Sequence, residues 1–469
     1  MASNIFWEVG THMQLEKHII TEGAFYKKVF ALVIPVVLQS LVNQGVNAMD
    51  TVMVGQLGEI AISGSSIANQ FYLIFTYMIL GVCASGTVLI TQYFGAGEYH
   101  TIRRVLDLML QMGTAVAIAF AAVVLLIPEK VLHLYTTDKS VIAEGARYLR
   151  IMGFVYLPHA ISIIIVFALR AVGNAKLSLF STLCSFAVNI GCNYVFIFGK
   201  LGFPAMGVVG AALGTLCARV VEVIACMVYL LKFEHTLLYR FKTVLKPPRP
   251  ALLREFFRLG FPAFVSDCLS AVGLTGISMV IGHMGRTVIS AYSIVNVIDN
   301  LCCVVGLCVG GAAGFFIGEC IGANQIERAK KEAWTLVLIS IGLGMVSSLL
   351  LIFAGKQALV LYKVEPETLE MARKMVYACA SLSIFMAVQL TLGKGILRCG
   401  GDTHFMMVAD VIFQFCLSIP LGYMAGLIWK WPAPIVIFCL KIDFLVKAIC
   451  LVFRLKSGKW IHKAKEIEA

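Results

Sequence analysis

Apolar residues run along this chain in long unbroken stretches separated by short polar segments, with no alternation at a period of two. A helix needs about 20 mostly apolar residues to cross a bilayer. Twelve such runs are present, at roughly 29–55, 61–92, 104–127, 141–169, 177–199, 207–231, 254–282, 288–318, 333–355, 370–397, 404–428 and 433–454. Strands of a membrane barrel would need about ten residues of alternating character, which these runs lack. The pattern predicts an all-α membrane protein with twelve transmembrane helices, with Pro35, Pro158 and Pro262 as kink points.

Composition agrees: 59% of the 469 residues are hydrophobic and 14% charged, with mean hydropathy +0.88, where a soluble domain carries about 25% charged residues. A soluble enzyme or a nucleic-acid-binding protein is excluded, and the lipid bilayer becomes the first partner. The net charge of +12 then reads as topology. Arg103, Arg104, Arg170, Lys176, Arg240, Lys242, Lys246, Arg249, Arg328, Lys330, Lys331 and the Lys-rich tail share one side, which predicts both termini in the cytoplasm. The fifteen Cys lie mostly in apolar runs without a CxxC pair, and read as small buried hydrophobes rather than metal ligands or disulfides. The first 26 residues, with Glu8, Glu16, Lys17 and Glu22, do not have the form of a cleaved signal peptide.

The second half repeats the first. Residues 30–104 align without a gap on 257–331 at an offset of 227; Pro35, Gly55, Gly58, Asn69, Gly95 and Ala96 meet Pro262, Gly282, Gly285, Asn296, Gly322 and Ala323. Leu169-Arg170 through Gly173-Asn174 meets Leu397-Arg398 through Gly401-Asp402 at an offset of 228. This predicts an N-terminal lobe at 1–231, a linker at 232–253 and a C-terminal lobe at 254–469, each lobe with six spans. An even number of spans gives both halves the same sense, related by an axis along the membrane normal. Two lobes around a central cavity suit alternating access.

Polar residues inside the spans are costly and mark function. Gln39, Asn43, Asn47 and Asp50, spaced 4, 4 and 3, lie on one face of the first span. Ser185, Asn189 and Asn193 repeat the design in the fifth, and Gly207 through Thr215 offers a small-residue face in the sixth. Counted inward from the helix ends, Asp50, Asn193 and Thr215 sit about 9–14 Å deep, at compatible depth. Together with Asn189 they form a candidate proton or cation site, although Thr215 taken alone reads as a packing residue bonded to its own helix. Burial disfavours the charged form of Asp50 and a bound cation favours it, so the group suits loading on one side and release on the other. The repeat places Ile277 opposite Asp50, Ser270 opposite Asn43 and Leu274 opposite Asn47, which assigns coupling to the first lobe.

Other charges read more simply. Asp443 with Lys447 and Arg219 with Glu222 have helical pair spacing, and Lys394 and Arg398 read as snorkelling near an inner end. Asp267 and Asp299 lack a local partner and join Gln39, Asn43, Asn47 and Gln70 as candidates for the substrate cavity.

Pro35, the Asp50-Thr-Val-Met-Val-Gly55-Gln-Leu-Gly58 segment, the paired Leu-Arg elements and the Gly-Ala junctions at 95–96 and 322–323 occur in an order that resembles the multidrug and toxic compound extrusion (MATE) family. The resemblance covers residues 25–455, and implies two six-helix lobes in a V-shaped bundle and export of small molecules, often amphipathic cations, by H⁺ or Na⁺ antiport. It matches Asp50, Asn189, Asn193 and Thr215 to the family's cation-site positions. Asn193 stands where many members have Asp, and the additional acids of one branch appear as Ser270 and Ala387. Losing a second carboxylate weakens a Na⁺ site more than a proton site, which favours H⁺.

The alternative cargo is a lipid-linked or other specific metabolite moved by the same two-lobe architecture, which the absence of a strongly basic stripe disfavours. An enzyme is not expected, because the His residues lie mainly near ends and loops and no HExxH motif occurs. No cofactor beyond the coupling proton or sodium ion is expected, and no metal. The expected partners are small-molecule substrates and lipid, without nucleic acid, acting on a monomer.

Overall fold

The computed structural model describes residues 19–234, 239, 244, 247–360 and 365–464. The start of the chain and part of the 232–253 segment lie outside these residues, as does the end of the tail. Helices dominate and no strand occurs among the described residues. In order they are α1 (Gly23–Gly55), α2 (Glu59–Gly95), α3 (Tyr99–Leu126), α4 (Pro128–His133), α5 (Lys139–Met152), α6 (Tyr156–Ala171), α7 (Lys176–Phe198), α8 (Val208–Val228), α9 (Pro250–Gly282), α10 (Arg286–Gly322), α11 (Ile326–Val360), α12 (Pro366–Leu390), α13 (Thr403–Val411), α14 (Ile419–Tyr423), α15 (Ala433–Leu440) and α16 (Asp443–Lys456).

The twelve apolar runs map onto these elements with two differences. Ten helices are long and apolar enough to span a membrane, and α5 with α6 makes a further span bent by 53°. The bend falls at residues 153–155, where Gly153 lies against Leu125 and the helix restarts just ahead of Pro158. The last run, 433–454, is two short helices separated at Lys441–Ile442, because Lys441 leaves the lipid-like pattern to form a buried ion pair. Wider π-helical turns follow α12 at Thr391–Leu397 and α13 at Ile412–Ser418, so spans with apolar continuity are not uniformly α-helical. Pro35 and Pro262 sit inside α1 and α9.

Two compact units emerge. One comprises residues 34–90 and 98–257; the other gathers the chain through Val33, Thr91–Gly97 and Arg258 onward. Repeat symmetry persists in local geometry: Gly58 and Gly285, counterparts at the α1–α2 and α9–α10 turns, have φ of +100° and +105°, which L side chains rarely adopt. Within the second unit, Gly95 packs on the backbone of Glu319 and Gly322 on the backbone of Gln92, each too close to admit a Cβ. The tail after α16 is docked there rather than loose. Trp460 is fully buried against Gly400, its indole donating to the Leu455 carbonyl at 3.2 Å. His462 N–H donates to the Gly400 carbonyl at 2.7 Å, and Gln92 accepts from Ala464 N–H at 2.6 Å while donating to the Cys399 carbonyl at 2.8 Å.

Candidate functional site

The first unit holds a cavity of about 610 Å³ lined from α1, α2, α5, α6, α7 and α8. The polar stripe of α1 forms one wall: Gln39, Asn43, Asn47 and Asp50 all border the cavity, as helical spacing requires. Gln70, Asn189 and Thr215 border it too. Asn193 stands behind Asp50, fully buried, and its Nδ2 donates to Asp50 Oδ1 at 2.6 Å and to Asn189 Oδ1 at 3.4 Å. Three of the four candidate coupling residues are thus joined in one hydrogen-bonded set.

That set exists because α7 and α8 approach closely. Gly210 lies against the Phe196 carbonyl, and Gly214 lies against Asn193 Oδ1, where any Cβ would collide. The small-residue face of α8 therefore seats the Asn193 amide. Thr215 borders the same space, but its hydroxyl donates to the Ala211 carbonyl at 3.1 Å, within its own helix. Ser185 ties the helices together further along, donating to the Ala218 carbonyl at 3.2 Å.

At the far end of the stripe, Gln39 Nε2 donates to Thr182 Oγ1 at 2.9 Å and its Oε1 accepts from Arg170. The Arg170 guanidinium also lies 5.4 Å from the Phe167 ring centroid. Sequence reasoning left Arg170 as a loop charge and treated Arg219 and Glu222 as an ordinary helical pair. The pair forms, Nη1 to Oε2 at 2.6 Å, but both residues border the cavity. Tyr72 and His159 line it as well, their rings 5.4 Å apart. The signal for Arg219 was its place in the middle of an apolar span, where a charge is rarely left to lipid. Nothing in the spacing pointed to His159.

Asp267 and Asp299, expected as cavity candidates, are placed elsewhere. Both belong to the second unit and neither borders the cavity. Asp267 takes both ends of the Arg398 guanidinium at 3.0 and 3.0 Å, with Lys394 Nζ at 3.3 Å. Arg398 and Lys394 are therefore ion-pair partners rather than snorkelling side chains. Asp299 receives Lys441 Nζ at 2.6 Å, with both side chains buried. Asp443 and Lys447 pair at 3.2 Å as spacing predicts, and Lys447 also reaches Asp410 at 3.0 Å. A buried charge without a partner would be strongly destabilising, and each of these carboxylates has a cation beside it.

Comparison with known proteins follows this geometry. A family model described as MatE matches residues 35–195 and 262–424. The Bacillus subtilis protein named "Probable multidrug resistance protein YoeA" is 25% identical over 413 residues, covering 86% of this chain and 87% of its own. "Probable multidrug resistance protein NorM" of Agrobacterium fabrum is 25% identical over 420 residues, covering 86% and 89%. Among solved structures, the Vibrio cholerae MATE transporter VcmN in its bent form has a TM-score of 0.83 at 15% identity, covering 93% of this chain and 98% of its own. A MOP superfamily transporter from Pyrococcus furiosus has a TM-score of 0.83 at 16% identity, covering 92% and 96%. The structural likenesses carry the fold, and the family match carries the membership.

Proposed function

The chain belongs to the MatE family of multi-span membrane transporters, and from that premise we propose that it is a proton-coupled exporter of small organic molecules. In this reading it works as a monomer in the cell membrane with both termini in the cytoplasm and uses no cofactor beyond its coupling ion. The two repeats act as lobes joined through the 232–253 segment. The observation that carries the proposal is Asp50 on the wall of a polar cavity, hydrogen-bonded by Asn193 at 2.6 Å.

The details favour a proton over sodium. Asn193 turns its N–H₂ toward the Asp50 carboxylate, whereas a hard cation prefers a ring of oxygens. Ionised Asp50 attracts the cationic part of an amphipathic cargo; protonation removes that attraction and releases the cargo. Relatives named as probable multidrug resistance proteins support a role in multidrug efflux.

The test is efflux of ethidium from proteoliposomes holding wild type or Asp50→Asn at equal protein content, under a proton gradient alone or a Na⁺ gradient alone. The expected result is proton-driven efflux that the variant loses. Equal efflux by both proteins would overturn the role of Asp50. Efflux under Na⁺ alone would overturn the choice of ion, and no efflux by either would turn attention to a specific lipid or metabolite cargo.

A further inference from the structure

Pockets for small drugs are mostly apolar and aromatic, with a few polar anchors. The first-unit cavity carries more polar anchors than that: amides, hydroxyls and four charges line it beside aliphatic side chains, with Phe167 as its one phenylalanine and no tryptophan. Asp50 and Glu222 supply two negative charges, Arg170 and Arg219 two positive ones. Arg219 lies one turn beyond Thr215 on α8, about 6 Å from the level of the Asp50–Asn193 pair. Arg170 contacts Gln39, eleven residues before Asp50 on α1 and so about 16 Å from it along the axis. The cavity therefore has an anionic pole at Asp50 and, toward its other end, a set of Arg219, Glu222 and Arg170 that sums to one positive charge.

A cluster of polar groups sits at the near edge of that positive region. Arg219 is held by Glu222 through Nη1, one of five N–H donors on a guanidinium. The Tyr72 phenol lies beside the guanidinium. His159 is 7% exposed, borders the cavity and hydrogen-bonds to no protein group through either ring nitrogen. Buried polar atoms left in this way carry a desolvation penalty that a suitable ligand group recovers. Arginine, a phenol and an imidazole converging on one place match an oxyanion, and a planar carboxylate above all.

We propose that Arg219, Tyr72 and His159 form a carboxylate subsite one helical turn from Asp50, so that the cavity takes amphoteric cargo, its cationic group toward Asp50 and its carboxylate on Arg219. The inference rests on the reading of this cavity as the cargo path and narrows its cargo to compounds carrying both charges. It also suits the neutral total: each charge of a zwitterion meets an opposite charge in the cavity, and protonation of Asp50 releases the cation without disturbing the carboxylate.

The test uses rhodamine B, which carries a free carboxylate on a cationic dye, and its ethyl ester, which keeps the cation alone. Binding of each to the purified full chain in detergent is read by fluorescence anisotropy. Wild type should bind the acid about tenfold more tightly than the ester. Arg219→Gln should bring the two affinities together, and Tyr72→Phe should reduce the ratio part of the way. Glu222→Gln, which removes the negative charge beside the guanidinium, should widen the ratio, a gain that a damaged fold would not produce. Equal affinities in wild type, a ratio indifferent to Arg219→Gln, or no binding of either dye would each overturn the subsite. Export and subsite fail separately, because ethidium efflux reports the first and the acid-to-ester ratio the second.

Discussion

At the repeat offsets Gln39 corresponds to Ser266 and Thr182 to Asp410, and both pairs are in contact. Gln39 donates to Thr182 in one unit, and Ser266 donates to Asp410 in the other. Arg170 and Arg398 correspond as well; the first reaches Gln39 and the second Asp267. The helix crossing has been kept while its chemistry diverged. In the first unit this crossing is made by the neutral Gln39 and Thr182 and leaves a cavity whose wall carries Asp50 and the Arg219–Glu222 pair. In the second, cations close on carboxylates at Asp267–Arg398, Asp410–Lys447 and Asp299–Lys441, and Ile277, the counterpart of Asp50, lies in an apolar core with Val280 and Val295. One scaffold thus supports two designs, the first keeping its polar groups for a visitor and the second spending them on itself.

Substitutions can break that contrast. The largest effect is expected on transport: Asp50→Asn should lower proton-driven efflux by about 100-fold, while its thermal unfolding midpoint stays close to wild type. The reverse pattern should hold in the second unit. Lys441→Met leaves Asp299 buried without its cation and should cost about 3–5 kcal/mol, read as a lower midpoint in detergent. The double variant Lys441→Met with Asp299→Leu should recover most of the loss; failure to recover would show that the pair does more than satisfy itself.

Gly214→Ala sharpens the comparison at an intermediate level. Its Cβ collides with Asn193 Oδ1, and overpacking of this kind costs about 1–3 kcal/mol. Because the collision displaces the amide that holds Asp50, efflux should fall further than the midpoint does. The smallest effect concerns Asp138, the cap of α5. It accepts from the Ser140 hydroxyl and from the Ser140 and Val141 N–H groups, which hold its carboxyl below the usual range. A carboxyl lowered by folding contributes stability above its unfolded pKa of about 3.9 and loses it as pH falls through the folded value. Asp138→Ala should therefore lower the midpoint slightly at neutral pH and differ less from wild type as the pH drops below that range.

Legibility followed sequence distance. The α1 stripe, the Arg219–Glu222 and Asp443–Lys447 pairs and the small-residue face of α8 were readable because helical periodicity alone brings them together. Asp267 with Arg398 and Asp299 with Lys441 are 131 and 142 residues apart, so their pairing depends on which helices pack, which local spacing does not encode. The same limit hid the cavity's positive end: Arg170 lies in the last turn of α6 and meets Gln39 only through tertiary packing. The continuous run at 433–454 concealed its break because its few buried charges, Lys441, Asp443 and Lys447, scarcely dent an apolar average. His159 gave no signal, since a lone histidine in an apolar helix is more often part of a core.

The chain's last described segment has a practical corollary. Trp460, one of five tryptophans, is sealed against Gly400 by contacts that run from α16 to Gln92. Its indole is thus a built-in optical gauge: emission should shift to longer wavelength when the segment lifts away and water reaches the ring. An affinity tag fused within a few residues of Ala464 would pull on that gauge, whereas a longer spacer would leave it in its resting state.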